Sequence, residues 1–145
     1  MSCDYSVWNT AKRFTHEEAG EVHVRLCGGD LSDVAPSPKV AAFYAELIAL
    51  HPEIDTIPEE RLDDHDYCPW SCALDRSEAH VVMACVWSKG QYVGQLVERL
   101  AKKHRLVFYD PQGGRVAYPP NLPPEVELNL PQLPESKLKP WWRFW

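Results

Sequence analysis

Apolar positions along this 145-residue chain fall into segments of two periods, helical and extended. Asp4 to Asn9 (Asp-Tyr-Ser-Val-Trp-Asn) mixes aromatic and β-branched residues and predicts a first strand. Thr15-His-Glu-Glu18 has capping-box spacing: Thr15 can accept from the backbone near Glu18, and Glu18 can reach back. Ala19, Val22 and Leu26 follow at helical spacing, and Gly28-Gly29 is a stop. Ser37-Pro38 opens a second helix as N-cap and first helical residue. Its stripe is Val40, Phe43, Tyr44, Leu47 and Ile48, read as core rather than as a ligand face, and His51-Pro52 ends it.

The stretch from Glu53 to Asp66 shows no period and predicts an irregular loop. Cys72 to Ser77 predicts a short strand leading to a turn at Arg76-Ser-Glu78. Val81 to Trp87 is the strongest strand. Val81, Met83, Cys85 and Trp87 share one face, and Val82, Ala84 and Val86 the other, so both faces are apolar and the strand should be central. Ser88 and Gln91 have capping-box spacing ahead of a helix with the face Val93, Leu96, Val97 and Leu100. Lys102, Lys103 and His104 fall in its last turn, where cations suit the helix dipole. Leu106 to Tyr109 predicts a strand, Asp110-Pro-Gln-Gly-Gly114 a turn, and Arg115 to Tyr118 a short final strand.

The element order is β-α-α-β-β-α-β. Setting one helix aside leaves β-α-β-β-α-β, the split βαβ or ferredoxin-like plan of the α+β class, with an antiparallel sheet whose first and third strands are central. One domain spanning 1–118 is expected. From Pro119 the composition changes, since seven of the 13 prolines lie between Pro119 and Pro140. That excludes helix and predicts an extended arm over 119–145, closed by the aromatic run Trp141-Trp-Arg-Phe-Trp145, which should dock on the domain or on a partner.

Charge changes the picture more than overall composition does. The net charge is −6, and the 14 residues from Glu53 to Asp66 carry all of it: seven acids against Arg61. The remaining residues balance. Such a segment repels nucleic acid and anionic membrane and attracts cationic partners. The five cysteines are odd in number and no secretory leader is visible at Met1, so reduced thiols and a cytoplasmic location are expected. No apolar run is long enough to span a membrane.

Three chemical readings compete around that segment. His65, Cys68 and Cys72 offer zinc-type ligands, but the Cys-x3-Cys spacing has no second pair at zinc-ribbon distance. Cys68 or Cys72 as a nucleophile with His65 or His80 needs an electropositive setting, and the adjacent loop is acidic. Asp63, Asp64 and Asp66 lack the glycine and distal glutamate of an EF-hand. No cofactor motif is present: Gly28-Gly29 and Gly113-Gly114 lack a phosphate-loop pattern. Tyr109-Asp110 sits at a strand end, a common place for functional groups, although Asp-Pro-Gln-Gly is also plain turn chemistry. Pro120-x-x-Pro123 and Pro131-x-x-Pro134 have the spacing of proline-domain ligands.

Asp66-x-Cys-Pro-Trp-Ser71, His80-Val-x-Met83, Val86-Trp87, His104-x-Leu-Val-x-Tyr-Asp-Pro-Gln112 and the Phe43-Tyr-Ala-Glu-Leu47 helix resemble a family of small bacterial proteins. The likeness spans roughly residues 4 to 118. Some members of that family look like immunity genes beside Rhs-type polymorphic toxins. The resemblance implies a protein of the immunity type; together with the acidic segment, the cysteines and the missing cofactor motifs it leads us to expect a non-enzymatic cytoplasmic protein that occludes a cognate toxin domain bearing a basic surface, without nucleic acid, membrane or cofactor. The partner-binding residues expected on the acidic surface and its flank are Glu59, Glu60, Asp63, Asp64, Asp66, Trp70, Tyr109 and Asp110. The alternatives are a small metal or thiol enzyme using Cys68, Cys72 and His65, and a homo-oligomeric regulatory domain, for instance a homodimer.

Overall fold

The computed structural model describes residues 2–11 and 13–119. The arm beyond Pro119, with its proline motifs and aromatic end, lies outside the described residues. The protein is α+β, and the described residues form a five-stranded antiparallel sheet and three helices. The elements are β1 (Ser2–Trp8), α1 (His16–Cys27), α2 (Pro38–Leu50), β2 (Asp75–Arg76), β3 (His80–Val86), α3 (Gly90–Lys103), β4 (Val107–Asp110) and β5 (Arg115–Ala117). The strand order is β2-β3-β1-β4-β5.

Strand β1 organises the sheet. It pairs with β3 over its whole length, from Ser2 opposite Val86 to Trp8 opposite His80, and with β4 through Ser6, Val7 and Trp8. Both β1 and β3 are therefore flanked on two sides, which the apolar pattern predicts for β3. Alternation then divides the side chains between two cores. Cys3, Tyr5 and Val7 of β1 and Val81, Met83 and Cys85 of β3 face Val40, Phe43 and Leu47 of α2 and Val93, Leu96, Val97 and Leu100 of α3. Trp8, Val107 and Tyr109 face the other way, onto Ala19, Val22 and Leu26 of α1. The sheet thus carries two helices on one face and α1 on the other.

Local chemistry fixes most helix ends. Thr15 accepts from the Glu18 N–H at 3.1 Å, and the Glu18 carboxylate accepts from the Thr15 N–H at 2.9 Å, completing the capping box. Ser37 caps α2 with Pro38 in its first turn. The start of α3 differs from the expected Ser88/Gln91 box. A 3-10 turn over Trp87–Lys89 feeds the helix, Gly90 N–H donates to the Trp87 carbonyl, and no side chain caps it. Here the helix begins against β1: a Cβ on Gly90 would lie 2.6 Å from Cys3 Sγ, and one on Gly94 2.7 Å from the Tyr5 hydroxyl. The Tyr5 hydroxyl donates to the Gly90 carbonyl at 2.7 Å.

Two further expectations are corrected. Trp87 is not on the buried face of β3; the strand ends at Val86, and Trp87 is 57% exposed. The second face of β3 is only half covered, because Val82, Ala84 and Val86 are half-buried while Val81, Met83 and Cys85 are fully buried. No helix of the described residues is long and apolar enough to cross a membrane.

Candidate functional site: an acidic loop with two exposed aromatics

The segment between α2 and β2 contains two short 3-10 turns, Ile54–Thr56 and Glu59–Arg61. Glu59, Glu60, Asp63, Asp64 and Asp66 are all exposed, as a binding surface requires. Two are tied down. Asp64 pairs with Arg61 at 2.7 Å, a contact that holds its carboxyl below the usual range. Arg61 also covers the Tyr67 ring, 3.5 Å from its centroid. Asp66 pairs with Lys89. Glu59, Glu60 and Asp63 have no ion pair among the described residues.

Two of the sequence-expected contact residues, Trp70 and Tyr109, are buried, and a third, Asp110, is half-buried. Trp70 is 1% exposed, packs in the main core, and donates its indole N–H to the His51 carbonyl at 3.0 Å. An isolated backbone bridge to Cys85 docks it beside β3. It anchors the base of the acidic segment from inside. Tyr109 is 6% exposed, with its ring against Trp8 and His23 beneath α1. Asp110 follows its turn reading: Oδ1 accepts from the Gln112 N–H at 3.0 Å and from the Gln112 side-chain amide at 2.8 Å.

The exposed aromatics beside the loop are Trp87 and Tyr92, 57% and 49% exposed. The Asp66–Lys89 pair joins the loop to the Trp87–Lys89 turn. His51 makes the second tie: one ring nitrogen bonds the Tyr67 carbonyl at 3.0 Å and the other the Tyr92 hydroxyl at 2.7 Å. Leu50 and Leu62, exposed and adjacent in sequence to His51 and Asp63, add apolar surface to the same segment. The result is an acidic strip bordered by aromatic and aliphatic groups. Tyr92 was visible in the sequence as the aromatic lying off the α3 stripe. Trp87 was concealed by its place in the alternating run of β3.

The thiol and metal readings fare differently. Cys68 is buried, its thiol donates to the Pro52 carbonyl at 3.3 Å, and burial pushes it above the ordinary thiol range. Cys72 is exposed, and His65 is half-buried. No group of three or more His, Cys, Asp or Glu side chains among the described residues is placed to hold a metal ion. His80 is bonded to Ser77 (Nδ1 to Oγ, 2.6 Å), with Asp75 Oδ2 3.9 Å from Nε2. Ser77 also accepts from the Ala79 N–H at 3.0 Å, so the trio closes the β2–β3 turn, and burial lowers the imidazole's pKa against the pull of Asp75.

A further pair lies on the α1 face, where no reading of the spacing had pointed. Ser6 Oγ and His23 Nδ1 share a hydrogen bond of 2.8 Å, and His23 Nε2 lies 3.7 Å from Cys27 Sγ. Burial lowers the His23 pKa, against the pull of Asp4, and raises that of Cys27, helped by Asp4 and Asp75. The thiol is therefore protonated and poorly suited to nucleophilic attack.

No known protein family, curated protein or solved structure matches this chain.

Proposed function

We propose that this protein is a non-enzymatic binding domain of the immunity type, which neutralises a cognate bacterial toxin domain by covering it. The observation that carries this reading is the pairing of free acids with exposed aromatics. Glu59, Glu60 and Asp63 lie on a loop tied to Trp87 and Tyr92 through Asp66–Lys89 and through His51. Aromatic anchors supply most of the affinity in protein interfaces, and an acidic rim steers a basic partner and adds specificity. Trp87 and Tyr92 take the anchoring role, because Trp70 is committed to the core. We further propose that the framework is a ferredoxin-like sheet, β4-β1-β3-β2, extended by β5 and backed by α1. The protein acts in the cytoplasm, where the toxin domain would otherwise work.

The reading expects the neighbouring gene to encode a basic toxin domain, and the test is association kinetics with that domain. Charge reversal at Asp63, Asp64 and Asp66 slows association and flattens its salt dependence, whereas Trp87→Ala speeds dissociation. Unchanged kinetics in both variants would refute the reading.

A further inference from the structure

Away from the acidic loop, one small cavity gathers the opposite charge. Its volume is about 70 Å³, and it lies where β1 ends, α2 begins and α3 turns into β4. Lys39 of α2 and Arg105 of the α3–β4 turn line it, and no acidic side chain does so among the described residues. The Lys39 ammonium donates to the Arg105 carbonyl at 3.0 Å, which fixes it at the cavity. Neither cation has an ion pair among the described residues. In a chain of net charge −6, two cations on one cavity without a carboxylate repel one another and draw an anion. The first turn of α2 adds the positive end of a helix dipole and carries no acid.

Two further observations point to a ligand. Trp8 also lines the cavity; it is fully buried, and its indole N–H has no hydrogen-bond partner among the described residues. An unsatisfied buried donor is costly, and a bound acceptor removes that cost. Asn9 and Thr10, the other polar residues of the lining, already donate to the Ala35 and Asp33 carbonyls. The second observation is the backbone of Arg105, which stands at φ 59°, in the left-handed region that favours glycine. Strain of this kind gathers at ligand clamps, and here it places a cation at the cavity.

We propose that this cavity binds one phosphate group, with the Arg105 guanidinium and the Lys39 ammonium as counter-charges and the Trp8 indole N–H as the buried donor. The volume admits little more, being the share of about two liquid waters at ~30 Å³ each. Charge separates phosphate from carboxylate. A phosphate group carries about −1.5 to −2 near pH 7, which two cations match, whereas a carboxylate carries a single charge.

The test titrates the full chain, at fixed ionic strength, with inorganic phosphate, O-phosphoserine and acetate. Calorimetry gives the affinity, and NMR follows the indole N–H signals of the six tryptophans. Phosphate should shift the indole signal that Trp8→Phe removes. Binding of either phosphate compound supports the site, and the tighter of the two identifies a free or an esterified group as its occupant. Arg105→Gly and Lys39→Met should each weaken binding about tenfold. Because Arg105→Gly relieves the backbone, it should bind less while melting at a higher temperature, so misfolding cannot account for the loss. The proposal is overturned by a Trp8 signal that neither phosphate compound moves, by acetate binding as tightly as phosphate, or by Arg105→Gly binding at parent strength. None of these outcomes bears on the acidic surface, which involves different residues.

Discussion

Replacing Trp70 and Trp87 separately by alanine distinguishes the scaffold from the surface. Trp70 is 1% exposed and Trp87 57% exposed, although they stand at the two ends of adjoining segments. Removing a buried tryptophan side chain costs about 3–5 kcal/mol through lost transfer energy and the cavity left behind. The lost indole N–H also leaves the His51 carbonyl, its partner at 3.0 Å, without that bond. Against a total stability of about 5–15 kcal/mol, this is a large fraction. For a domain of this size it lowers Tm by roughly 10–20 °C. Trp87→Ala removes side-chain surface that is already largely in water, and its effect should stay within about 0.5 kcal/mol. Urea unfolding of the two variants, with the parent as reference, measures both numbers. Equal destabilisation by the two substitutions, or a cost below about 1 kcal/mol for Trp70→Ala, would refute the assignment of Trp70 to the core and Trp87 to the surface.

Acid should destabilise the fold through His23 and His80. Burial lowers both pKa values, so the unfolded chain takes up protons first. Their contribution is complete above the ordinary histidine pKa, about 6.5, and declines as pH falls below it by up to ~1.4 kcal/mol per pH unit and group; urea midpoints between pH 7.5 and 5 check the slope. At the other extreme, burial pushes Cys85 and Tyr5 up to about 12. Their stabilising share is complete below the unfolded pKa values, about 9 and 10, and is lost as pH rises toward 12, so stability followed from pH 8 to 11 should fall progressively. Gly94→Ala puts a methyl group 2.7 Å from the Tyr5 hydroxyl and should cost about 1–3 kcal/mol, read from the Tm. Arg105 closes α3 in the left-handed region at φ 59°, where glycine is the usual residue, so Arg105→Gly should raise stability by up to about 1 kcal/mol in the same assay.

What could be read in advance followed the range of the interactions. The capping box at Thr15, the Ser37-Pro38 start and the α3 stripe are complete within a few residues, and the structure has all three. The centrality of β3 followed from a run that is apolar on both faces. The apparent Ser88/Gln91 box failed because Gly90 approaches Cys3 too closely for the helix start to be settled locally. Trp70 was misplaced for a similar reason: its acceptor is 19 residues away, and nothing in Cys68-Pro-Trp-Ser-Cys72 marks the indole as inward-facing. The acidic residues were legible as exposed because so many carboxylates in one stretch cannot all be buried. Their aromatic neighbours depended on two long-range ties, Asp66 to Lys89 and His51 to Tyr92, that no spacing reveals.

The proposal that the acidic loop and Trp87 form one docking surface is tested most directly by the binding kinetics of the full chain with a basic toxin domain, which the proposal expects the neighbouring gene to encode, at low and high salt. The account predicts fast, salt-sensitive association that slows when Asp63, Asp64 and Asp66 are replaced by lysine, and dissociation that quickens in Trp87→Ala while that variant's stability stays at the parent level. Parent-like rates in both variants would contradict it.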